Sequence, residues 1–347
     1  MKIGIITFHW ATNYGAVLQA YALQKYLAKE GYNVQIIDYV PKSVRTKQKL
    51  IALKNRDFAF FLQEKLLYEF RKQYLNLTEK KYSSHKSLIK GKFDFDTIIA
   101  GSDQIWNESF TLRGEGKVTL SYFADFAADN VKRIAYAASF GFHTPTEQYI
   151  ETVKQEMRKF YAISVRETDG VDIVAAHDLK CCVVCDPTAL LTKQDYKEII
   201  KNNRIEGCKV FAYILRENQE EAWKTAKYVG AVYGEDIVEK KYIGSMEDWL
   251  SSVLQSSIVV TNSFHGVMLS IIMNKPFIAL LINGSGMNSR ITTLLEKTGL
   301  TSRLAEHFSE ENINKIVAAD IDWKEVNQNM SELRLTGINF LRQVLRE

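Results

Sequence analysis

Apolar runs of strand length alternate with segments of helical period through most of the chain, and that alternation restricts the fold to an α/β architecture with mostly parallel sheets. Residues 3–7 read as a buried strand. Residues 15–27 then place Leu18, Ala22 and Tyr26 at i, i+4 and i+8, which predicts an amphipathic helix ended by Gly31. A second strand at 34–39 closes a β-loop-α-β unit, and further strands are expected at 97–100, 133–138, 162–165 and 182–185. The alternation then starts afresh: strand 209–215, helices 217–228 and 246–255, strand 258–261, helix 264–273, strand 277–281. Polar residues 192–206 separate the two series. The expected organisation is an N-terminal Rossmann-like domain over 1–195, a second over 196–320, and a C-terminal helix (323–346) within 321–347 that packs back on the first.

At 347 residues, 46% hydrophobic and 25% charged, the composition is that of a folded globular protein and sets aside disordered or fibrous classes. The longest apolar runs, such as Pro276 to Ile282, fall well short of the roughly 20 residues of a membrane span, so no transmembrane helix is expected. The opening apolar run passes into His9-Trp10, with no small-residue cleavage site, and the expectation is a cytoplasmic protein. Of the four cysteines, Cys181, Cys182 and Cys185 crowd one short segment and Cys208 stands apart. Neighbours on a strand point to opposite faces, so buried thiols are expected and no metal site. The formal net charge of +4 hides an asymmetry: residues 42–92 hold 14 Lys/Arg against 4 Asp/Glu, and the rest of the chain is net acidic.

Several chemistries lack their motifs. No Gly-x-Gly-x-x-Gly opens a helix, no phosphate-binding Gly-x-x-x-x-Gly-Lys loop occurs, and neither His-Glu-x-x-His nor Gly-x-Ser-x-Gly is present. Asp94-Phe95-Asp96 has the spacing of a metal-binding acidic pair, but it directly precedes a strand and reads more simply as its flank.

In an open parallel sheet, ligands bind beyond the carboxyl ends of the strands, where helix N-termini donate free N–H groups to anions. Four loops occupy such places. His9-Trp10-Ala11-Thr12-Asn13-Tyr14-Gly15 leads from strand to helix, with Asn13 able to cap or bind and Gly15 permitting close approach. Gly101-Ser102-Asp103-Gln104-Ile105-Trp106-Asn107 concentrates a carboxylate, two amides and an indole. Ser164-Val165-Arg166-Glu167 puts an arginine fork at a strand end, suited to a carboxylate or phosphate, or to an ion pair with an acid such as Glu167. Val260-Thr261-Asn262-Ser263-Phe264-His265-Gly266 runs from strand to helix with Ser263 as cap and His265 in the first turn.

With Asn13 to Tyr21, Gly101 to Trp106, Ala138-Ser139-Phe140-Gly141, Ser164 to Glu167, Asp186-Pro187-Thr188 and Asn262 to Gly266 in this order, the chain resembles the polysaccharide pyruvyl transferase family from about residue 3 to 300. The resemblance implies a GT-B-like fold, two Rossmann-like domains facing each other across a cleft. It also implies transfer of pyruvyl from phosphoenolpyruvate to two hydroxyls of a sugar, with no cofactor. His265 and Arg166 are then the expected donor ligands, with Asn262, Ser263, Gly266 and Arg290 beside them and Asp103 as candidate base. Trp10, Asn13, Tyr14, Gly15, Gln104 and Trp106 offer aromatic and amide contacts to an acceptor sugar, which could be lipid-linked. The alternatives are a GT-B glycosyltransferase using a nucleotide sugar and a non-catalytic sugar-binding protein on the same scaffold. No motif supports a nucleic-acid partner. Segment 42–92 interleaves basic and apolar residues; it reads as a helix packed on the first domain with its charges solvated, or as a face for peripheral association with an anionic membrane.

Overall fold

The computed structural model describes residues 1–111, 118–141, 145–200, 208–215, 219–282 and 288–346. Two compact units divide the chain: Met1–Leu190 with Leu335–Glu347, and Leu191–Arg334. The division falls at 190/191, before the polar stretch, and the final helix contributes to both units.

In chain order the first unit comprises β1 (Lys2–Ile6), α1 (Tyr14–Lys29), β2 (Asn33–Ile36), α2 (Lys42–Lys54), α3 (Phe58–Tyr74), α4 (His85–Ile89), β3 (Thr97–Ala100), α5 (Glu108–Thr111), β4 (Lys132–Ala138), α6 (Glu147–Met157), β5 (Ala162–Val165), α7 (Thr168–Ala175) and β6 (Cys181–Val183). Its six strands form a parallel sheet in the order β2-β1-β3-β4-β5-β6. Central strands buried on both faces need apolar side chains throughout, which is why Ile3, Ile5, Ile98, Ile99, Ile134 and Ile163 occupy them. The amphipathic reading of the first helix was too modest. Tyr14 to Gln24 are all buried, and Gln19 is tolerated there because its Nε2 donates to Thr7 Oγ1 (2.8 Å) and Ala16 O (2.8 Å). The strand expected to reach residue 39 ends at Ile36.

Asp94 and Asp96 both bind Lys2, Asp96 accepting from its backbone N–H at 2.7 Å, so the acidic pair fastens the start of β1. Edge strand β6 corrects the cysteine reading: Cys185 is buried, but Cys182 is exposed and Cys181 half-buried. Burial, with Cys182 and Asp172 nearby, pushes the Cys181 thiol up to about 11, which keeps it protonated and poorly nucleophilic near neutrality.

The second unit comprises α8 (Lys193–Ile200), β7 (Val210–Tyr213), α9 (Glu220–Tyr233), α10 (Met246–Gln255), β8 (Ile258–Thr261), α11 (Phe264–Ile272), β9 (Phe277–Leu280), α12 (Ser289–Thr298), β10 (Leu304–Ala305), α13 (Glu310–Ala318) and the first part of α14 (Trp323–Arg346). The described strands form a parallel sheet in the order β10-β9-β8-β7 around their own apolar cluster. Glu217, expected to open a helix, and the loop Gly284-Ser285-Gly286-Met287 lie outside the described residues. The end of α14 belongs to the first unit: Thr336 Oγ1 accepts from Cys185 N (3.2 Å), Arg342 pairs with Glu30, and Gly337 lies where a β-carbon would meet Tyr136 Oη at 2.2 Å. No helix among the described residues is long and apolar enough to cross a membrane.

Candidate functional site

The strand order of the first sheet reverses between β1 and β3, and the loops leaving these two strands are the ones that the sequence marked. They are stitched together by Thr7, whose Oγ1 donates to Ser102 O at 2.8 Å. Asp103 has φ 76°, a left-handed conformation uncommon outside glycine. Backbone bonds hold it there: its carbonyl accepts from Ile105 N (2.7 Å) and Ser139 N (3.1 Å), and its carboxylate accepts from Gln104 N (2.9 Å). The Asp103 side chain keeps 15% of its surface exposed, so it can reach a ligand.

Arg166 lies among acids. Its side chain is 2% exposed; Nη1 donates to Asp186 Oδ2 at 2.8 Å, with Glu167 Oε2 at 3.8 Å from Nε and Asp103 Oδ1 at 4.0 Å from Nη2. Burial opposes the guanidinium charge, but Asp186, Glu167 and Asp103 outweigh it and raise the pKa. Asp186 is further satisfied by Ser102 Oγ (3.1 Å) and by Thr188 N (2.9 Å) and Oγ1 (2.6 Å). Arg166 is thus engaged by carboxylates of its own unit. The ion-pair alternative expected for Arg166 is present, with Asp186 closer than Glu167. Asp186 and Thr188 were legible only as a matching stretch; nothing in the sequence paired them with Arg166.

The expected acceptor platforms need correction. Trp106 is 0% exposed, lies parallel to Phe123 with ring centroids 5.1 Å apart, and donates from Nε1 to Tyr122 O at 3.2 Å, so it is part of the core. Trp10 is likewise buried, its Nε1 donating to Tyr122 Oη at 3.1 Å. Asn13 caps α1, accepting from Ala16 N at 3.0 Å; Tyr14 and Gly15 are buried in the first turn. Gln104 is buried and accepts from Asn107 Nδ2 at 2.8 Å. Thr12 and Asn13, half-buried, remain at the surface of this loop. Sequence reasoning passed over His9, which is buried with Nε2 3.3 Å from Asp38 Oδ1 and Nδ1 3.3 Å from Thr7 O.

The second unit's edge has the opposite character. Asn262 uses its side-chain amide on the exit of β7, accepting from Leu215 N (2.7 Å) and donating to Leu215 O (3.0 Å). Ser263 caps α11, its Oγ accepting from Gly266 N at 3.3 Å. Glycine is required at 266 by close approach to β8, since a β-carbon would lie 2.6 Å from Thr261 Oγ1. His265 stands in the first turn with its ring 5.2 Å from that of Phe264 at 84°. Arg290, in the first turn of α12, places its guanidinium carbon 5.9 Å from the same Phe264 ring. Both are largely buried (8% and 9% exposed).

Phe264, legible in the sequence only as a member of its loop, has both the imidazole and the guanidinium near its ring. Helices α8, α9, α10, α13 and α14 carry an acid in the first turn, whereas α11 and α12 carry none. Their N-terminal ends carry partial positive charge with no first-turn acid. This corner suits a multiply charged anion. Among the described residues no group of His, Cys, Asp and Glu is arranged to hold a metal ion.

Solved structures place the whole chain in a known fold class. It is similar to UDP-GlcNAc 2-epimerase from Methanocaldococcus jannaschii (TM-score 0.60, 13% identity, 100% of both chains) and UDP-N-acetylglucosamine 2-epimerase from Rickettsia bellii (TM-score 0.58, 11% identity, 99% of this chain and 96% of that one). UDP-GlcNAc 2-epimerase from Neisseria meningitidis, bound to UDP-GlcNAc, is similar at TM-score 0.58 and 9% identity over 100% of both chains. The fold is therefore α/β and GT-B-like, and at these identities the likeness extends to fold alone. Residues 13–284 match the sequence profile of the polysaccharide pyruvyl transferase family, and the chain belongs to that family. It is a transferase of polysaccharide modification. No curated protein matches it in sequence.

Proposed function

We propose that the protein transfers the pyruvyl group of phosphoenolpyruvate to two hydroxyls of a sugar in a polysaccharide precursor, releasing phosphate and leaving a cyclic ketal. The observation that carries the reading is that His265 and Arg290 both lie near the Phe264 ring, at two helix starts without first-turn acids, in a chain of this family. Phosphoenolpyruvate carries a phosphate and a carboxylate, and this corner offers donors and positive charge for both.

The chemistry balances without an oxidant or reductant. A proton adds to the methylene carbon of the enol phosphate, making a methyl group and an electrophilic neighbouring carbon. The two sugar hydroxyls add there in turn, the C–O bond to phosphate breaks, and their two protons end on the methyl carbon and the phosphate. His265 is assigned as proton donor or phosphate ligand. Arg290 is assigned to the anion, with Ser263 and the first-turn amides of α11. Asp103, the partly exposed carboxylate of the first unit, is the candidate base for a hydroxyl. Arg166 holds that carboxylate cluster in place.

The test is phosphate release from phosphoenolpyruvate across a panel of nucleotide-linked and lipid-linked sugars, with mass spectrometry of the pyruvylated product. His265→Ala is expected to lower kcat/KM by about 10²–10⁴-fold. Undiminished transfer by H265A would remove the assignment. Thermal stabilisation by nucleotide sugars with none by phosphoenolpyruvate would favour glycosyl transfer instead.

A further inference from the structure

The helical hairpin α2–α3 is the least covered part of the first unit. Ala52 is the one buried residue of α2, while Leu50, Ile51 and Leu53 are 60%, 51% and 61% exposed. Across the turn, Phe58 is 77% and Leu62 51% exposed. Half of the exposed large apolar side chains among the described residues lie on these two helices, too dense a cluster for ordinary surface scatter.

The charges along α2 have one sign, and the exposed acid of α3, Glu69, lies toward its far end. Lys47, Lys49, Lys54 and Arg56 are exposed beside the cluster, and residues 42–56 contain no acid. Asp57 is engaged at the start of α3, accepting from Phe60 N at 2.9 Å, and Glu64 turns inward to Arg45 and Arg71. A shallow groove of about 830 Å³ runs along α2 between Leu50, Ile51, Lys42, Lys47, Lys54 and Ser84.

We propose that this hairpin docks the protein reversibly on an anionic bilayer surface. The apolar side chains at its turn enter the boundary between headgroups and acyl chains, and the flanking lysines and Arg56 meet the negative headgroups. Charge complementarity selects this occupant: a second copy would bring like charges face to face, whereas an anionic membrane presents a continuous field of opposite sign.

The inner side of the hairpin is bonded to the loop after β1. Glu64 accepts from Thr12 Oγ1 (2.7 Å), Arg45 Nη1 donates to Thr12 Oγ1 (3.2 Å), and Arg71 Nη1 donates to Ala11 O (3.4 Å). Arg45 also lies over the Trp10 ring at 5.9 Å. Docking would therefore seat the hairpin that braces this loop of the candidate acceptor side. The proposal stands independently of the pyruvyl-transfer reading.

Flotation of the full chain with vesicles tests it. Binding is expected to phosphatidylcholine vesicles containing phosphatidylglycerol and not to phosphatidylcholine alone, and it should disappear near 1 M salt, where the screening length is about 3 Å. The triple variant K47Q/K49Q/K54Q should lower the partition coefficient about a hundredfold, at about 1 kcal/mol per lysine. L53S/F58S should lower it at least tenfold with an unchanged melting temperature, because both side chains are exposed. No flotation, salt-insensitive flotation, or wild-type binding by both variants would overturn the proposal. So would lipid-free self-association abolished by L53S/F58S, which would make a second copy the occupant.

Discussion

Arg166 and Arg290 both stand at the carboxyl edge of a parallel sheet, one in each unit, and they have opposite surroundings. Arg166 is enclosed by Asp186, Glu167 and Asp103, whereas Arg290 shares the Phe264 ring with His265 at a pair of helix N-termini. The same residue type at the same kind of location is thus enclosed by carboxylates in one unit and set against an aromatic ring beside an imidazole in the other. A guanidinium's role is set by the sign of what surrounds it. The difference supports the proposal that the second unit holds the anionic donor and that hydroxyl chemistry falls to the first.

The strongest way to break that assignment is Arg166→Ala. Removing the cation leaves Asp186 buried beside Glu167 and Asp103, and the expected loss is about 3–5 kcal/mol of stability, read by denaturant unfolding. Arg166→Lys should recover only part, because an ammonium cannot reproduce the guanidinium fork. If R166A instead unfolded like the wild type and raised only the KM for phosphoenolpyruvate, Arg166 would be a donor ligand after all.

A smaller effect is expected of Gly266→Ala. Its β-carbon would press on Thr261 Oγ1, costing about 1–3 kcal/mol and displacing the start of α11. Activity should fall with stability; wild-type values for both would mean that the close approach is not a constraint. The smallest and most specific change is expected of Arg290→Gln, a roughly tenfold higher KM for phosphoenolpyruvate, equivalent to about 1.4 kcal/mol. Its unfolding midpoint should move less than that of R166A. An unchanged KM would leave the cationic corner without its proposed ligand.

Much of the architecture was legible because burial on both faces of a parallel sheet imposes continuous apolar runs. Strands 97–100, 162–165 and 258–261 and helices 246–255 and 323–346 match their expected limits. The second strand was read too long because Ile37 and Tyr39 are buried without continuing the strand, and apolar content marks burial, not pairing. At the candidate site, Ser263 as helix cap was legible from local chemistry, and so was Asn13. The two tryptophans were not: an indole next to a polar loop can plug a core or face a sugar, and the deciding neighbours, Tyr122 and Phe123, come from a different part of the chain.

The sequence by itself determined the α/β class, its two series of strands and the family, since these depend on periodicity and on short ordered stretches. Tertiary structure alone decided which charges meet. Asp186 is 20 residues from Arg166, and Arg290 reaches the Phe264 ring beside His265 from a different helix. Electrostatic character depends on distance in space and on burial, and neither can be read from the order of residues along the chain.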